Sequence, residues 1–252
     1  VVDQQLIACH VAPLGAAGAP AILTMGRELG LHLHLFENGA LAPARRIFLK
    51  APDRLMDLQT ADLDGDGRTD MVACRKDNLE VLWNDGAGQF PRRMEIPITP
   101  ADALKIETAD FTGAGRTDLL IFMAGDTTLP RLRPGAGAGR FGPEAVLPIA
   151  PARRSAAMPL PAGAPTPVAS IIQSGRGLRL YKVGREPAAS FLDRDEALPE
   201  RIALRGVSPR IPPAWVVSDF NGDGFDDLCV AAPESGQIHL YAGSASGLNA
   251  EP

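Results

Sequence analysis

The chain has 252 residues and a formal net charge of −5, with 45% hydrophobic and 22% charged residues, a balance that supports a packed core and argues against disorder. Its 26 Gly and 23 Pro, set against 5% aromatics, punctuate many short elements and leave little room for long helices. No apolar run approaches the roughly 20 residues of a membrane helix, and the negative balance disfavours a general nucleic-acid binder.

Val1-Val2-Asp3 carries no initiator Met and no basic-then-apolar leader, so a signal peptide is expected to be absent or already removed. The first unit (approximately 6–53) opens with a strand-like run, turns at Ala12-Pro13-Leu14-Gly15-Ala16-Ala17-Gly18 and closes through Leu31-His32-Leu33-His34-Leu35-Phe36. The second (54–101) runs Arg54–Thr60, turns through Ala61-Asp62-Leu63-Asp64-Gly65-Asp66-Gly67-Arg68-Thr69-Asp70, and leaves by Met71-Val72-Ala73-Cys74. It continues through Leu82-Trp83 to the turn Asn84-Asp85-Gly86-Ala87-Gly88-Gln89-Phe90. The third (102–150) repeats the turn as Ala109-Asp110-Phe111-Thr112-Gly113-Ala114-Gly115-Arg116-Thr117-Asp118. In the fourth (151–210) it has eroded to Met158–Ala164, and in the fifth (211–252) it returns as Ser218-Asp219-Phe220-Asn221-Gly222-Asp223-Gly224-Phe225-Asp226-Asp227.

The anchors Leu14, Leu63, Phe111, Leu160 and Phe220 stand 49, 48, 49 and 60 apart. Runs of 4–7 residues separated by Gly, Pro, Asn and Asp read as strands. Four per unit, in tandem, predict an all-β fold: a β-propeller of about five four-stranded blades forming one domain over 1–252. A blade cannot bury both faces alone, so stacking supplies the core. The extra residues before the last anchor fall near Ala188–Asp195, which predicts an enlarged loop after the fourth unit's third strand.

In Asp62-x-Asp64-x-Asp66-Gly67-x-x-Asp70, four carboxylates lie within nine residues and repel one another unless a cation intervenes. Hard oxygens from Asp62, Asp64, Asp66 and Asp70, with the carbonyl of Arg68, suit Ca²⁺ better than Mg²⁺, which prefers to retain waters. An EF-hand is excluded because position 12 is Ala73, where a bidentate Glu is needed, and the flanks are strands. Asp219, Asn221, Asp223, the Phe225 carbonyl and Asp227 repeat the design with one charge fewer. Asp110 and Asp118 keep only the ends, a weaker third site, and the first and fourth units keep no carboxylate.

The Asp-x-Asp-x-Asp-Gly-x-x-Asp loops, the apolar strand after each, and Asn84 to Phe90 downstream resemble the FG-GAP/VCBS repeat family. The last unit, from Val230 to Ser244, is similar to the FG-GAP form that builds integrin α-subunit heads. The resemblance implies a propeller with Ca²⁺ in the loop between a blade's first two strands, partners met elsewhere on the surface, and usually seven blades. Five units leave two arrangements open: a five-bladed ring with Val1–Gln5 as a closing strand, toward which the reading leans, or part of a larger ring.

The remaining constellations say less. His32 and His34 share a strand face without an identifiable third metal ligand. Gly86-x-Gly88 and Gly135-x-Gly137-x-Gly139 read as hairpin turns, since no helix follows. Cys9, Cys74 and Cys229 sit in apolar stretches and are expected to be small buried hydrophobes, with one bridge left open. Residues 131–185 hold Arg131, Arg133, Arg140, Arg153, Arg154, Arg176, Arg179, Arg185 and Lys182 against Glu144 alone, a local charge of +8. This basic blade is a candidate docking surface for an acidic protein, lipid headgroups or a polyanionic glycan; the alternative is edge protection by scattered Arg.

The reading that follows is a non-catalytic, Ca²⁺-stabilised propeller acting as a protein-interaction or assembly module outside the cytoplasm. A carbohydrate-binding lectin is the alternative, weakened by two Trp and two Tyr. A propeller-based polysaccharide-active enzyme is the third, because fold does not fix function.

Overall fold

Short Leu-, Val- and Ile-rich runs between turn residues bury their apolar side chains as strands of sheets that other sheets cover. The computed structural model describes residues 6–26, 30–37, 39–50, 55–99, 101–112, 114–124, 129–147, 154–158, 169–174, 177–182, 200–202, 214–232, 235–244, 248–249 and 251–252. The enlarged loop expected near Ala188–Asp195 and the closing strand expected at Val1–Gln5 lie outside them. Among the described residues there is no α-helix, only one 3₁₀ turn at Ala16–Gly18.

The first sheet holds β1 (Leu6–Ala12), β2 (Ala21–Gly26), β3 (Gly30–Glu37), β4 (Ala40–Leu41) and β5 (Arg45–Ile47). The second holds β6 (Leu55–Ala61), β7 (Asp70–Arg75), β8 (Asn78–Trp83) and β9 (Arg92–Pro97). The third is β10 (Ala103–Ala109), β11 (Asp118–Met123), β12 (Arg131–Arg133) and β15 (Ala145–Val146), with a side hairpin of β13 (Gly135–Gly137) and β14 (Arg140–Phe141). The fourth is β16 (Arg154–Met158), β17 (Ala169–Ser174), β18 (Gly177–Lys182) and β19 (Glu200–Ile202); the fifth is β20 (Ala214–Ser218), β21 (Asp227–Ala232) and β22 (Gln237–Tyr241). Within each, the strands run as an antiparallel meander, the arrangement expected of a blade, with β5 of the first sheet pairing β3 rather than β4. The all-β reading holds.

The described chain gathers into two compact units, one running to Ile106 and including Gly137–Gly139, the other holding the rest. In the first unit one face of β2 and β3 (Leu23, Leu31, Leu33) packs on Leu58, Met71, Ala73 and Leu82 of the second sheet. β7 is buried on both faces, so it reads as an unbroken apolar run rather than an alternating one. In the second unit Phe111, Leu120, Phe122, Leu132 and Leu147 form a core.

Two neighbouring sheets are also latched by a turn. Asn84, buried after β8, donates from Nδ2 to the Leu14 carbonyl of the first repeat at 3.2 Å and to the Thr69 carbonyl at 3.0 Å. Its Oδ1 accepts from the amides of Gly86 and Gly88, both at 3.0 Å. Gly88, at φ 70°, lies so close to the first sheet that a Cβ would stand 2.9 Å from Leu33 Cδ2 and 3.3 Å from the Leu14 carbonyl oxygen. Only Gly fits both the conformation and the space.

The cysteines correct one expectation. Cys74 is buried, but Cys9 is exposed and Cys229 half-exposed, and all three are free thiols. Cys9 pairs in register with Thr24, away from the Leu23 and Leu33 face, and Cys229 with Val216 and Leu240, away from buried Trp215, Leu228 and Val230. An apolar strand buries both faces only when sheets cover both.

Replacing Asn84 by Ala strands two buried carbonyls and two amides, so the expected loss is about 2–4 kcal/mol of unfolding free energy. Denaturant melts of Asn84→Ala measure it, and a change below about 0.5 kcal/mol would refute the latch.

Candidate functional site

The loop joining β6 to β7 builds itself from its carboxylates. Asp62 accepts from the amides of Gly65 at 2.7 Å, Asp66 at 3.2 Å and Gly67 at 2.8 Å. Asp66 Oδ1 accepts from Arg68 N at 2.9 Å. Gly65 and Gly67 take positive φ, 83° and 81°, which lets the backbone curl around the first carboxylate. The loop joining β20 to β21 repeats the pattern: Asp219 accepts from Gly222, Asp223 and Gly224 at 2.7, 3.2 and 2.9 Å, and Asp223 accepts from Phe225 N at 2.9 Å. In the third repeat Asp110 still accepts from Ala114 at 3.0 Å and Gly115 at 2.7 Å.

The last Asp of each loop has a second task. Asp70 is fully buried; its Oδ2 accepts from Leu63 N at 3.0 Å and its Oδ1 from Asn84 N at 2.8 Å. Asp118 takes Thr112 N at 2.8 Å and Gly135 N at 2.7 Å. Asp227 takes Phe220 N at 3.0 Å and Gly243 N at 2.7 Å. Each therefore ties the start of its loop to the chain just beyond the third strand. Sequence reasoning gave Asp70 and Asp227 only a ligand's role and missed this brace, as it missed the role of Asn84.

Oxygens of Asp62, Asp64 and Asp70 lie within 4.8 Å of one another, the one such acidic group among the described residues. Asp64 Oδ1 is buried with no hydrogen-bond partner. Its Oδ2 pairs with Arg92, whose guanidinium sits 4.1 Å over the Trp83 ring, a contact the sequence did not signal. Asp66 instead faces the guanidinium of Arg68, whose Nε donates to the Asn84 carbonyl at 3.1 Å. In the last loop Asn221 Nδ2 donates to Asp223 Oδ2 at 3.0 Å and Asn221 Oδ1 accepts from Asp223 N at 2.9 Å; Phe225 is half-buried.

Burial pushes the Asp70 carboxyl up to about 6, against the pull of the Asn84 and Leu63 amides and with the push of Asp64 and Asp66. Burial likewise raises Asp118. Asp219, fully exposed, is held low, chiefly by the Gly224 amide. A buried orphan oxygen beside an all-oxygen acidic set fits a hard divalent cation, and Ca²⁺ fits such a set best. Asp62, Asp64 and Asp70 would hold it in the first loop.

Residues 62–121 match an FG-GAP-like repeat model and residues 216–246 match the FG-GAP repeat. Two segments of the chain are thus similar to FG-GAP repeats. No curated protein matches it closely enough to be called a relative. Among solved structures it is similar to an Agrocybe aegerita lectin described as recognising non-reducing terminal N-acetylglucosamine: TM-score 0.66, 15% identity, 97% of this chain and 65% of that one. It is also similar to BBS1N in its complex with ARL6DN: TM-score 0.57, 13% identity, 95% of this chain and 66% of that one. The chain thus spans about two thirds of both, and the likeness establishes the β-propeller fold.

The other candidates in the chain are quieter. His34 Nε2 lies 3.1 Å from Thr24 Oγ1, and burial, with Arg46 and His34 nearby, lowers His32. Neither belongs to a group of three metal-binding side chains among the described residues. Of the basic stretch, Arg131 and Arg133 pair with Glu144, the latter at 3.2 Å, and Arg140 is exposed. The side chains of Arg153, Arg154, Arg176, Arg179, Lys182 and Arg185 lie outside the described set.

Two roles in one loop separate by mutation. In EDTA, Asp70→Ala is expected to lower the melting temperature because two buried amides lose their acceptor, whereas Asp64→Ala leaves it nearly unchanged. A raised folded-state pKa means the fold favours the protonated form, so in EDTA the stability of wild type relative to Asp70→Asn falls as pH rises from about 4 to about 6. Paired melts across that window test the sign, and a rise would contradict it.

Proposed function

We propose that this chain is a non-catalytic interaction or assembly module whose Asp loops take structural Ca²⁺ in an extracytoplasmic compartment. The observation that carries the reading is the Asp62, Asp64 and Asp70 cluster with its buried, unpartnered Asp64 oxygen. Ca²⁺ there offsets the carboxylate repulsion and adds to the hydrogen bonds that shape the loop. The Asp219, Asn221, Asp223, Phe225 and Asp227 loop, with the same hydrogen-bonded shape, is the second site, and Asp110 with Asp118 a weaker third. The compartment follows from where free Ca²⁺ is abundant and from the habit of the family the sequence resembles.

Binding rather than chemistry is the reading that the similar structures favour, one a lectin and the other part of a two-protein complex. A protein partner is preferred to a glycan on a specific ground. Both Trp residues, Trp83 and Trp215, are buried, as is Tyr241, so the most exposed described rings for stacking on sugars are those of Phe36, Phe48 and Phe220. The glycan reading stands second, on the lectin's likeness in fold.

Calcium at about a hundredfold excess over its Kd is expected to raise the melting temperature by roughly 5–10 °C for each occupied site. Asp64→Ala and Asp223→Ala each remove part of that rise. No shift between Ca²⁺ and EDTA would refute the structural-metal reading. A glycan array is expected to stay silent, and saturable binding to terminal N-acetylglucosamine would move the function to the lectin reading.

A further inference from the structure

The first Asp loop carries more carboxylates than the last, yet two side-chain cations stand against them. Arg68 faces Asp66, with its Nε bonded to the Asn84 carbonyl at 3.1 Å, which leaves Asp62, Asp64 and Asp70 as the gathered set. Arg92 pairs with Asp64 Oδ2, while Asp64 Oδ1 is buried without a hydrogen-bond partner among the described residues.

Arg92 is held from several sides. It opens β9 and stands in register with Trp83, the last residue of β8, and its guanidinium lies 4.1 Å over the Trp83 ring. The turn Gly137–Gly139 closes on the same pair: a Cβ on Gly139, at φ 69°, would stand 2.6 Å from Trp83 Nε1 and 2.9 Å from Arg92 Nη2. A guanidinium set between a ring, a carboxylate and a neighbouring backbone is fixed in place. Its charge is therefore a permanent part of the field at Asp64.

The last loop offers the contrast. Phe225 stands where the first loop has Arg68, and Asn249 stands as far after Asp227 as Arg92 does after Asp70. Four carboxylates and two guanidiniums give the first loop a charge of −2, whereas Asp219, Asp223 and Asp227 alone give the last −3. Across one carboxylate, a unit positive charge opposes a divalent ion by about tenfold in affinity even at the dielectric of water.

On the cation reading of both loops, we propose that Arg92 sets the affinity of the first. Its fixed charge holds that site to weaker Ca²⁺ binding than the last loop, so the first responds to changes in cation concentration at which the last stays filled. Arg92 positions Asp64 and opposes the ion at the same time, and its charge, rather than its hydrogen bond, determines the Kd.

Single-site chains separate the loops: Asp223→Ala keeps the first and Asp64→Ala the last. Titration of each with Ca²⁺ against a chelator of known affinity is expected to give a Kd at least about tenfold weaker for the first loop. Adding Arg92→Gln to the Asp223→Ala chain is expected to tighten that Kd at least about tenfold. Arg92→Lys, which keeps the charge and loses the planar fork, is expected to change it less than about threefold. In EDTA, Arg92→Gln is expected to lower the melting temperature, because Asp64 loses its partner and Trp83 its stacked cation, yet to enlarge the rise that Ca²⁺ produces. A merely structural residue would lower both. Equal Kd values in the two single-site chains, or a Kd that Arg92→Gln leaves unchanged or weakens, would overturn the proposal. Absence of Ca²⁺ binding in every chain would refute the cation reading itself, and the proposal with it.

Discussion

A buried carboxylate that accepts two backbone amides organises each acidic repeat. Asp70, Asp118 and Asp227 each draw one amide from the beginning of the turn and one from the chain beyond the third strand. Three strands of a blade are thereby registered from one atom group, and a buried acceptor left without donors would cost more than any exposed contact nearby. This explains why the third repeat keeps Asp110 and Asp118 while losing the carboxylates between them. The ends of the loop shape it; the middle positions are free to serve a cation or not.

The proposed cation would thus be layered on a turn that its own hydrogen bonds already hold. In the first loop that layer would be most complete: Asp64 brings into the group an oxygen without a hydrogen-bond partner among the described residues. Arg92, stacked on Trp83, holds the other oxygen of the same carboxylate and so aims the first. In the last loop Asn221 reduces the charge and bonds to Asp223, so the two sites are not equal in field strength.

Much of this was legible in the chain itself. The 48- to 49-residue spacing, the short apolar runs and the turn residues are local signals, and they specify strands, sheets and repeats without tertiary information. The Asp positions were legible for the same reason. The brace was not, because the partners of Asp70 and Asp227 include amides 14 and 16 residues away, and backbone donors leave no mark in side-chain identity. Asn84 stood inside a recognisable turn motif, yet its bond to Leu14, 70 residues away, has no sequence signature. Burial of Cys9 and Cys229 was misjudged because an apolar strand says that it wants covering on two faces and not whether both covers are there.

The central claim is that the carboxylates of residues 62–70 and 219–227 form cation sites on a self-supporting turn. Equilibrium dialysis of the metal-stripped chain against Ca²⁺ tests it most directly. The account predicts two bound ions per chain, falling to one in Asp64→Ala, with the fold retained in EDTA. Saturation at zero, or binding unaffected by Asp64→Ala and Asp223→Ala, would contradict it.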